Sequence, residues 1–190
     1  MRTLLKWSGI SSSLIGLVLA AYLVAIQLSG NFATVLAGEL YRSNQPTAAQ
    51  ITSYVANYGI TTIVNLRGSK PNADWYQEET AKARALGLTL IDFDMSANRE
   101  LSVDEARQLA TLLRDAPKPL LIHCRSGSDR TGLASAIYLN QVANVDKETA
   151  ERQLSLRFGH IGIPLVSPAY AMDESWERLE KGFDRGQEPS

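Results

Sequence analysis

The stretch "LLIHCRSGSDRTGLASAIYL" at 120–139 decides how this chain is read. Leu120-Leu121-Ile122 is a short apolar run suited to a buried strand, and Leu133-Ala134-Ser135-Ala136-Ile137-Tyr138-Leu139 suits a helix. Between them lies His123-Cys124-Arg125-Ser126-Gly127-Ser128-Asp129-Arg130-Thr131-Gly132, so the layout is strand, tight loop, helix. A loop of this kind aims unpaired backbone N–H groups at one point over the first turn of the helix, where the dipole adds partial positive charge. Gly127 supplies dihedrals that a side chain resists, and Gly132 allows close backbone packing. Arg130 follows Cys124 by six residues, so its guanidinium fork can close over the same anion with two parallel hydrogen bonds. The predicted occupant is phosphate.

The field that attracts an anion also favours the thiolate of Cys124, the attacking form of a cysteine. Ser126, Ser128 and Thr131 bring hydroxyls near the sulfur. Thr131, directly after the arginine, is the first choice to stabilise it or to help expel it from a covalent intermediate. An inert, buried cysteine is the default at a strand end, but the spacing of Gly127 and Arg130 argues against it.

His-Cys-x5-Arg-Thr-Gly on such a pattern resembles the signature of the cysteine-based protein tyrosine phosphatases, and "HCRSGSDRTG" is similar to their dual-specificity branch. "LYRSNQP" at 40–46 and "GITTIVNLRG" at 59–68 also resemble the front of small bacterial and fungal members, so the resemblance spans residues 37–160. It implies phosphomonoester hydrolysis in two steps, with Cys124 as nucleophile and Arg130 and the loop amides holding the phosphoryl oxygens. Substrate binding then falls to Arg125, Ser126, Gly127, Ser128, Asp129 and Thr131. No metal or other cofactor is called for. His123 is expected to orient the loop by hydrogen bonding to its backbone, and Gly132 to support the packing.

The leaving oxygen should receive a proton. The resemblance implies an aspartate from a loop upstream of the cysteine, where Asp94 lies thirty residues before Cys124 and Asp92 thirty-two before. Both would share one face of an alternating strand, so spacing does not choose between them. Asp94 is nearer the loop and is preferred. The following segment "MSANRE" holds no aspartate, unlike patterns with a deeper acid, which keeps Glu100 and Asp129 as alternatives. Arg67 is either a second substrate contact at a strand's C-terminal edge or a surface arginine holding a loop carboxylate. His160 is expected to cap or pack rather than to act as an acid. Trp75 and Tyr76 are read as packing residues.

With 190 residues, 45% of them hydrophobic, the chain can bury the core of one globular domain, and a net charge of −1 gives no support for a nucleic-acid partner. Cys124 is the sole cysteine, so no intrachain disulfide or cysteine-built metal site can form. The N-terminus differs from the rest. Ile10 to Leu28 is 19 residues without a charge, close to the length of about 20 that crosses a bilayer as a helix. Arg2 and Lys6 precede it and the next charge is Glu39, so the positive-inside rule puts the domain across the membrane, on the periplasmic side in a bacterium. An uncleaved anchor is preferred. The alternative is a signal segment cut near Val35-Leu36-Ala37, which gives a secreted or periplasmic protein.

The expected organisation is an anchor or signal over 1–30, a linker over 31–38, a catalytic domain over 39–182 and a polar tail over 183–190. Strands are predicted at Leu40–Ser43, Ile60–Leu66, Leu88–Met95 and Leu120–Ile122. Helices are predicted from the Thr47/Gln50 capping box to Asn57, over Asp74–Leu86, from the Ser102/Glu105 box to Arg114, after Cys124, over Asp146–Phe158, and from Ser167-Pro168 to Lys181. Together these predict an α/β fold, a mostly parallel central sheet flanked by helices as in phosphotyrosine phosphatases, preceded by one N-terminal hydrophobic helix. The expected partners are a phosphorylated protein or small phosphomonoester, and the membrane through that helix. An inositol (poly)phosphate substrate, or phosphate binding without turnover, are the alternatives.

Overall fold

A computed structural model describes residues 16–184. Its sheet has five strands, β1 (Ala33–Leu36), β2 (Leu40–Ser43), β3 (Thr62–Asn65), β4 (Thr89–Asp92) and β5 (Leu120–His123). They lie in the order β1-β2-β5-β3-β4. β5, the strand that leads into the cysteine, is therefore central, with β2 and β3 parallel to it on either side. Its unbroken apolar run has a plain cause, since both faces of the sheet are covered. Leu120 and Ile122 join one core with Leu40 and Val64, while Leu121 joins a second core with Tyr41 and Ile63. The alternation of β-strand side chains thus feeds two layers of helices.

Residues 16–28 form α1, followed by α2 (Ala48–Tyr58), α3 (Asp74–Ala85), α4 (Val103–Asp115), α5 (Asp129–Gln141), α6 (Lys147–Glu151) and α7 (Tyr170–Asp184). Ile51 and Tyr54 of α2 and Ala83 of α3 pack in the second core. Leu109 and Leu113 of α4, Leu133 to Leu139 of α5, and Met172 and Trp176 of α7 pack in the first. Both predicted capping boxes are formed, at Thr47/Gln50 and Ser102/Glu105. Gly59 and Gly87 stop their helices at φ +66° and +67°.

The structure departs from the expected elements: the strands expected at Ile60–Leu66 and Leu88–Met95 are the shorter β3 and β4, and α5 begins at Asp129, inside the stretch read as loop. The stretch 31–38, read as a linker, contains β1, which pairs antiparallel with β2. Phe32, just before it, stacks on Tyr54 at 4.3 Å, so four short residues are held by packing that local sequence does not reveal. The predicted helix over Asp146–Phe158 ends at Glu151, followed by a 3₁₀ turn over Leu156–Phe158. There the carbonyl of Gln153 turns out of helical pairing to accept from Arg42 Nη1 at 2.9 Å, a tertiary contact that overrides propensity. α7 runs from Tyr170 to Asp184, three residues past Lys181, and the tail beyond it lies outside the described residues. Of the apolar stretch Ile10–Leu28, residues 10–15 also lie outside them, as do Arg2 and Lys6. No helix among the described residues is long and apolar enough to cross a membrane.

Candidate active site

The loop between β5 and α5 is held from its outside. The carbonyl of Arg125 accepts from the backbone N–H of Gln45 at 3.2 Å. That of Ser126 accepts from Gln27 Nε2 at 3.0 Å and Asn31 Nδ2 at 2.9 Å. Those of Gly127 and Ser128 accept from Arg42 Nη2 at 2.7 and 3.3 Å. Cys124 O lies 3.4 Å from His123 Nδ1. A trans peptide points its C=O and N–H in opposite directions, so carbonyls fixed outward turn the following amides inward. This is the arrangement that a concave anion site requires, with the Ser128 N–H also 3.4 Å from Ser126 Oγ. Gly127 sits at φ +72°, where a Cβ would lie 2.7 Å from the backbone of Ser43 and Asn44. A Cβ on Gly132 would meet Gln153 O at 2.8 Å, which is the close packing expected there.

Arg42 is the main fastener. It is fully buried on β2, its Nη1 also reaches Gln153 Oε1 at 2.8 Å, and its guanidinium lies 3.8 Å from the Phe158 ring centroid. Burial pulls its pKa down to about 9, opposed by attraction to Cys124 and Asp129. His123 is equally buried and its Nε2 meets Glu79 Oε1 of α3 at 2.7 Å. Glu79 in turn accepts from Gln45 at 3.3 Å. The expected role of His123 is thus anchored by a carboxylate. Sequence spacing alone does not single out Arg42, Glu79, Gln27 or Asn31. Arg42 lies inside the quoted "LYRSNQP", an arginine in a strand, which was the available signal; Glu79 is one acid among several in a charged helix and gives none.

On the open side, Arg67, Arg125, Arg130, Lys70 and Trp75 are among the residues lining a cleft of about 690 Å³. Arg130 Nη1 donates to Leu66 O at 3.3 Å and Met95 O at 3.2 Å, which leaves Nε and Nη2 for a ligand. Arg67 donates to Gln45 Oε1 at 2.8 Å and stacks on Trp75 at 3.5 Å, and it pairs with no loop carboxylate among the described residues. Burial first, then the neighbouring Arg130 and Arg125, push its pKa down. Trp75, read as packing, forms a wall of the cleft by supporting that arginine. Cys124 is 1% exposed, and the Thr131 hydroxyl is buried with no hydrogen-bond partner among the described residues. Ser128 Oγ is committed to Phe158 O at 2.8 Å.

The four acid candidates separate. Asp92 accepts from Asn65 Nδ2 at 2.8 Å and from the Tyr76 hydroxyl. Glu100 pairs with Arg178. Asp129 is bound by His160 Nδ1 at 2.8 Å, and His160 Nε2 meets Asp173 at 2.9 Å. This is the packing role expected of His160. Burial opposes its charge, but the hydrogen bond to Asp129 and the charge of Asp173 outweigh that and raise its pKa. Asp94 alone has neither a hydrogen-bond nor an ion-pair partner among the described residues. It is exposed just beyond β4, lying over Gly68, and the carbonyl of the next residue, Met95, is the one held by Arg130.

The model of a family described as "DSP-PTPase phosphatase fused to NAD+ Kinase" matches residues 29–161. A search of curated proteins finds no match. Among solved structures, TpbA of P. aeruginosa is 23% identical with a TM-score of 0.58, covering 80% of this chain and 92% of that one. A variant of TpbA is described in complex with pTyr. The core catalytic domain of the PP-IP phosphatase SIW14 from S. cerevisiae, in complex with citrate, is 21% identical with a TM-score of 0.57, covering 81% and 93%. Human DUSP28 is 14% identical with a TM-score of 0.58, covering 82% and 98%. At these identities the likeness establishes the fold, α/β with a mixed central sheet flanked by helices.

Proposed function

Because the chain belongs to the dual-specificity branch of the cysteine-based protein tyrosine phosphatases, we propose that it hydrolyses phosphotyrosine or a comparable small phosphomonoester outside the cytoplasm, tethered to a membrane by its N-terminus. The observation that carries the proposal is the outward fixing of the loop carbonyls from Arg125 to Ser128, which turns the intervening amides toward one anion. Cys124 Sγ attacks phosphorus, the P–O bond to the leaving group breaks, and Asp94 gives that oxygen its proton. Arg130 and the inward amides hold the equatorial oxygens through the transition state. Water activated by Asp94 then attacks the thiophosphate, the P–S bond breaks, and phosphate leaves with the Cys124 thiolate restored. Thr131 is assigned to the departing sulfur because its hydroxyl has no hydrogen-bond partner among the described residues.

For the tether, the support is the uncharged stretch Ile10–Leu28 behind Arg2 and Lys6. Cleavage near Ala37 would remove β1 along with Gln27 and Asn31, so an uncleaved anchor followed by a catalytic unit is preferred. A polyanionic substrate such as an inositol polyphosphate is the second reading, favoured by Arg125 and Lys70, which line the cleft without a carboxylate partner among the described residues. The test is a panel of phosphotyrosine peptide, phosphoserine peptide, phosphoinositide and phytate, assayed on the full chain in detergent. Preference for the peptide supports the first reading, preference for phytate the second, and phosphate binding without turnover of any member overturns both in favour of a binding protein.

A further inference from the structure

Residues 27–31 belong by sequence to the anchor and its linker, yet they reach the centre of the site. Gln27, on the last turn of α1, and Asn31, before β1, both donate to one oxygen, the carbonyl of Ser126. Asn31 is 5% exposed, adopts φ +47°, and gives its other N–H to Phe158 O at 2.8 Å. Asn44 closes the group, its side chain donating to Gln27 O at 2.9 Å and its backbone to Gly30 O at 2.8 Å.

The choice of oxygen matters. Arg125 O is held by the backbone of Gln45, and Gly127 O and Ser128 O by Arg42, all from the β2 region of the sheet. Among the described residues, the Ser126 carbonyl is held by side chains of the N-terminal segment. Its peptide continues into Gly127, where the missing side chain makes rotation of the peptide plane cheapest. If that plane turns, the Gly127 N–H leaves the anion site and a carbonyl oxygen enters it.

We infer that Gln27 and Asn31 are positioning residues for anion binding, holding the Ser126–Gly127 peptide with its N–H facing the phosphate site. The inference rests on the phosphatase reading only for the identity of the anion. The segment that tethers the domain is thereby also part of the frame of its active site, and phosphate affinity depends on it.

The test uses the full chain carrying Cys124→Ser, with inorganic phosphate as probe and calorimetry as readout. Adding Gln27→Met and Asn31→Gly removes both donors without adding charge and without straining the positive φ. The expected result is phosphate binding weakened about tenfold, the worth of one or two net hydrogen bonds. Tyr22→Phe is the control, because it cuts the bond from α1 to Arg157 O, at 2.6 Å, without touching the loop; its affinity should stay at the parent value. Amide NMR gives a second signature, in which the Gly127 signal loses its phosphate response in the double variant while that of Asp129 keeps it. Unchanged phosphate affinity in the double variant, or an equal loss in Tyr22→Phe, overturns the inference. Wild-type turnover of p-nitrophenyl phosphate is scored separately: its absence overturns the phosphatase reading, and the binding comparison still decides this one.

Discussion

On the outer side of the Cys124 loop the carbonyls from Arg125 to Ser128 each have a donor, whereas in the cleft it borders Arg125 and Lys70 have no hydrogen-bond or ion-pair partner among the described residues. Asp94, just beyond β4, is equally uncommitted. Arg42 and Asn31 of the outer frame are buried, and its donors are tied to other protein groups as well as to the loop, so it is in place before any ligand arrives. In the cleft, Arg125 and Lys70 are exposed, while Arg67 and Arg130 are half-buried and partly bonded. Chemistry common to all phosphomonoesters is therefore assigned to the frame, and discrimination between them to the cleft.

The largest effect should come where the two meet. Cys124→Ser is expected to lower turnover of p-nitrophenyl phosphate by about 10⁵-fold or more while phosphate still binds, measured by kinetics and calorimetry. Full turnover in that variant would dissolve the distinction, since the loop would then be no more than a fold element. Next is the frame itself. Arg42→Met leaves the buried carbonyl of Gly127 and the half-buried one of Gln153 without this donor, at about 1–3 kcal/mol each, so urea unfolding should show a loss of about 2–6 kcal/mol. An unchanged midpoint would mean that the rim does not hold the loop.

The remaining effects belong to the cleft. Asp94→Asn should slow hydrolysis of alkyl phosphates about 10²-fold or more, but of p-nitrophenyl phosphate less than about tenfold, because a good leaving group needs little help. Equal losses would move the acid elsewhere. Arg67→Gln should raise KM about tenfold for a substrate with two phosphates and hardly for one with a single phosphate; equal changes would make Arg67 a fastener like Arg42. The smallest effect concerns His160. Its folded pKa is raised, so the stability it adds is complete below the ordinary value of about 6.5 and declines as pH rises through the folded value. Unfolding midpoints compared at about pH 6 and about pH 9 should show that decline in wild type and its absence in His160→Gln. A decline of the same size in both would assign it to other groups.

The parts legible in sequence are those whose cause is local. The capping boxes, the glycine stops and the strand-loop-helix of 120–139 depend on neighbours within a few residues, and all three are where the pattern puts them. The illegible parts depend on distant partners. β1 exists because Phe32 finds Tyr54 and Tyr41, and the helix after Asp146 stops because Gln153 is claimed by Arg42, which is 111 residues away. The site divides in the same way. Cys124, Gly127 and Arg130 are fixed by spacing, while Asp92 and Asp94 became distinguishable only when Asn65 and Tyr76 were seen to occupy the first. Glu79 and Asn31 act through contacts that no spacing encodes.

The bonds from Arg130 to Leu66 O and Met95 O join two events that the chemistry treats separately. One side chain holds the segment that carries Asp94 and, in the proposed mechanism, the anion. By thermodynamic reciprocity, whatever factor a bound anion applies to the strength of these two bonds, the bonds must apply to the affinity for the anion. A substitution between Met95 and Glu100 that merely weakens the Arg130 bonds will then alter inhibition by phosphate through the binding free energy, with no proportional demand on the rate of the proton-transfer step.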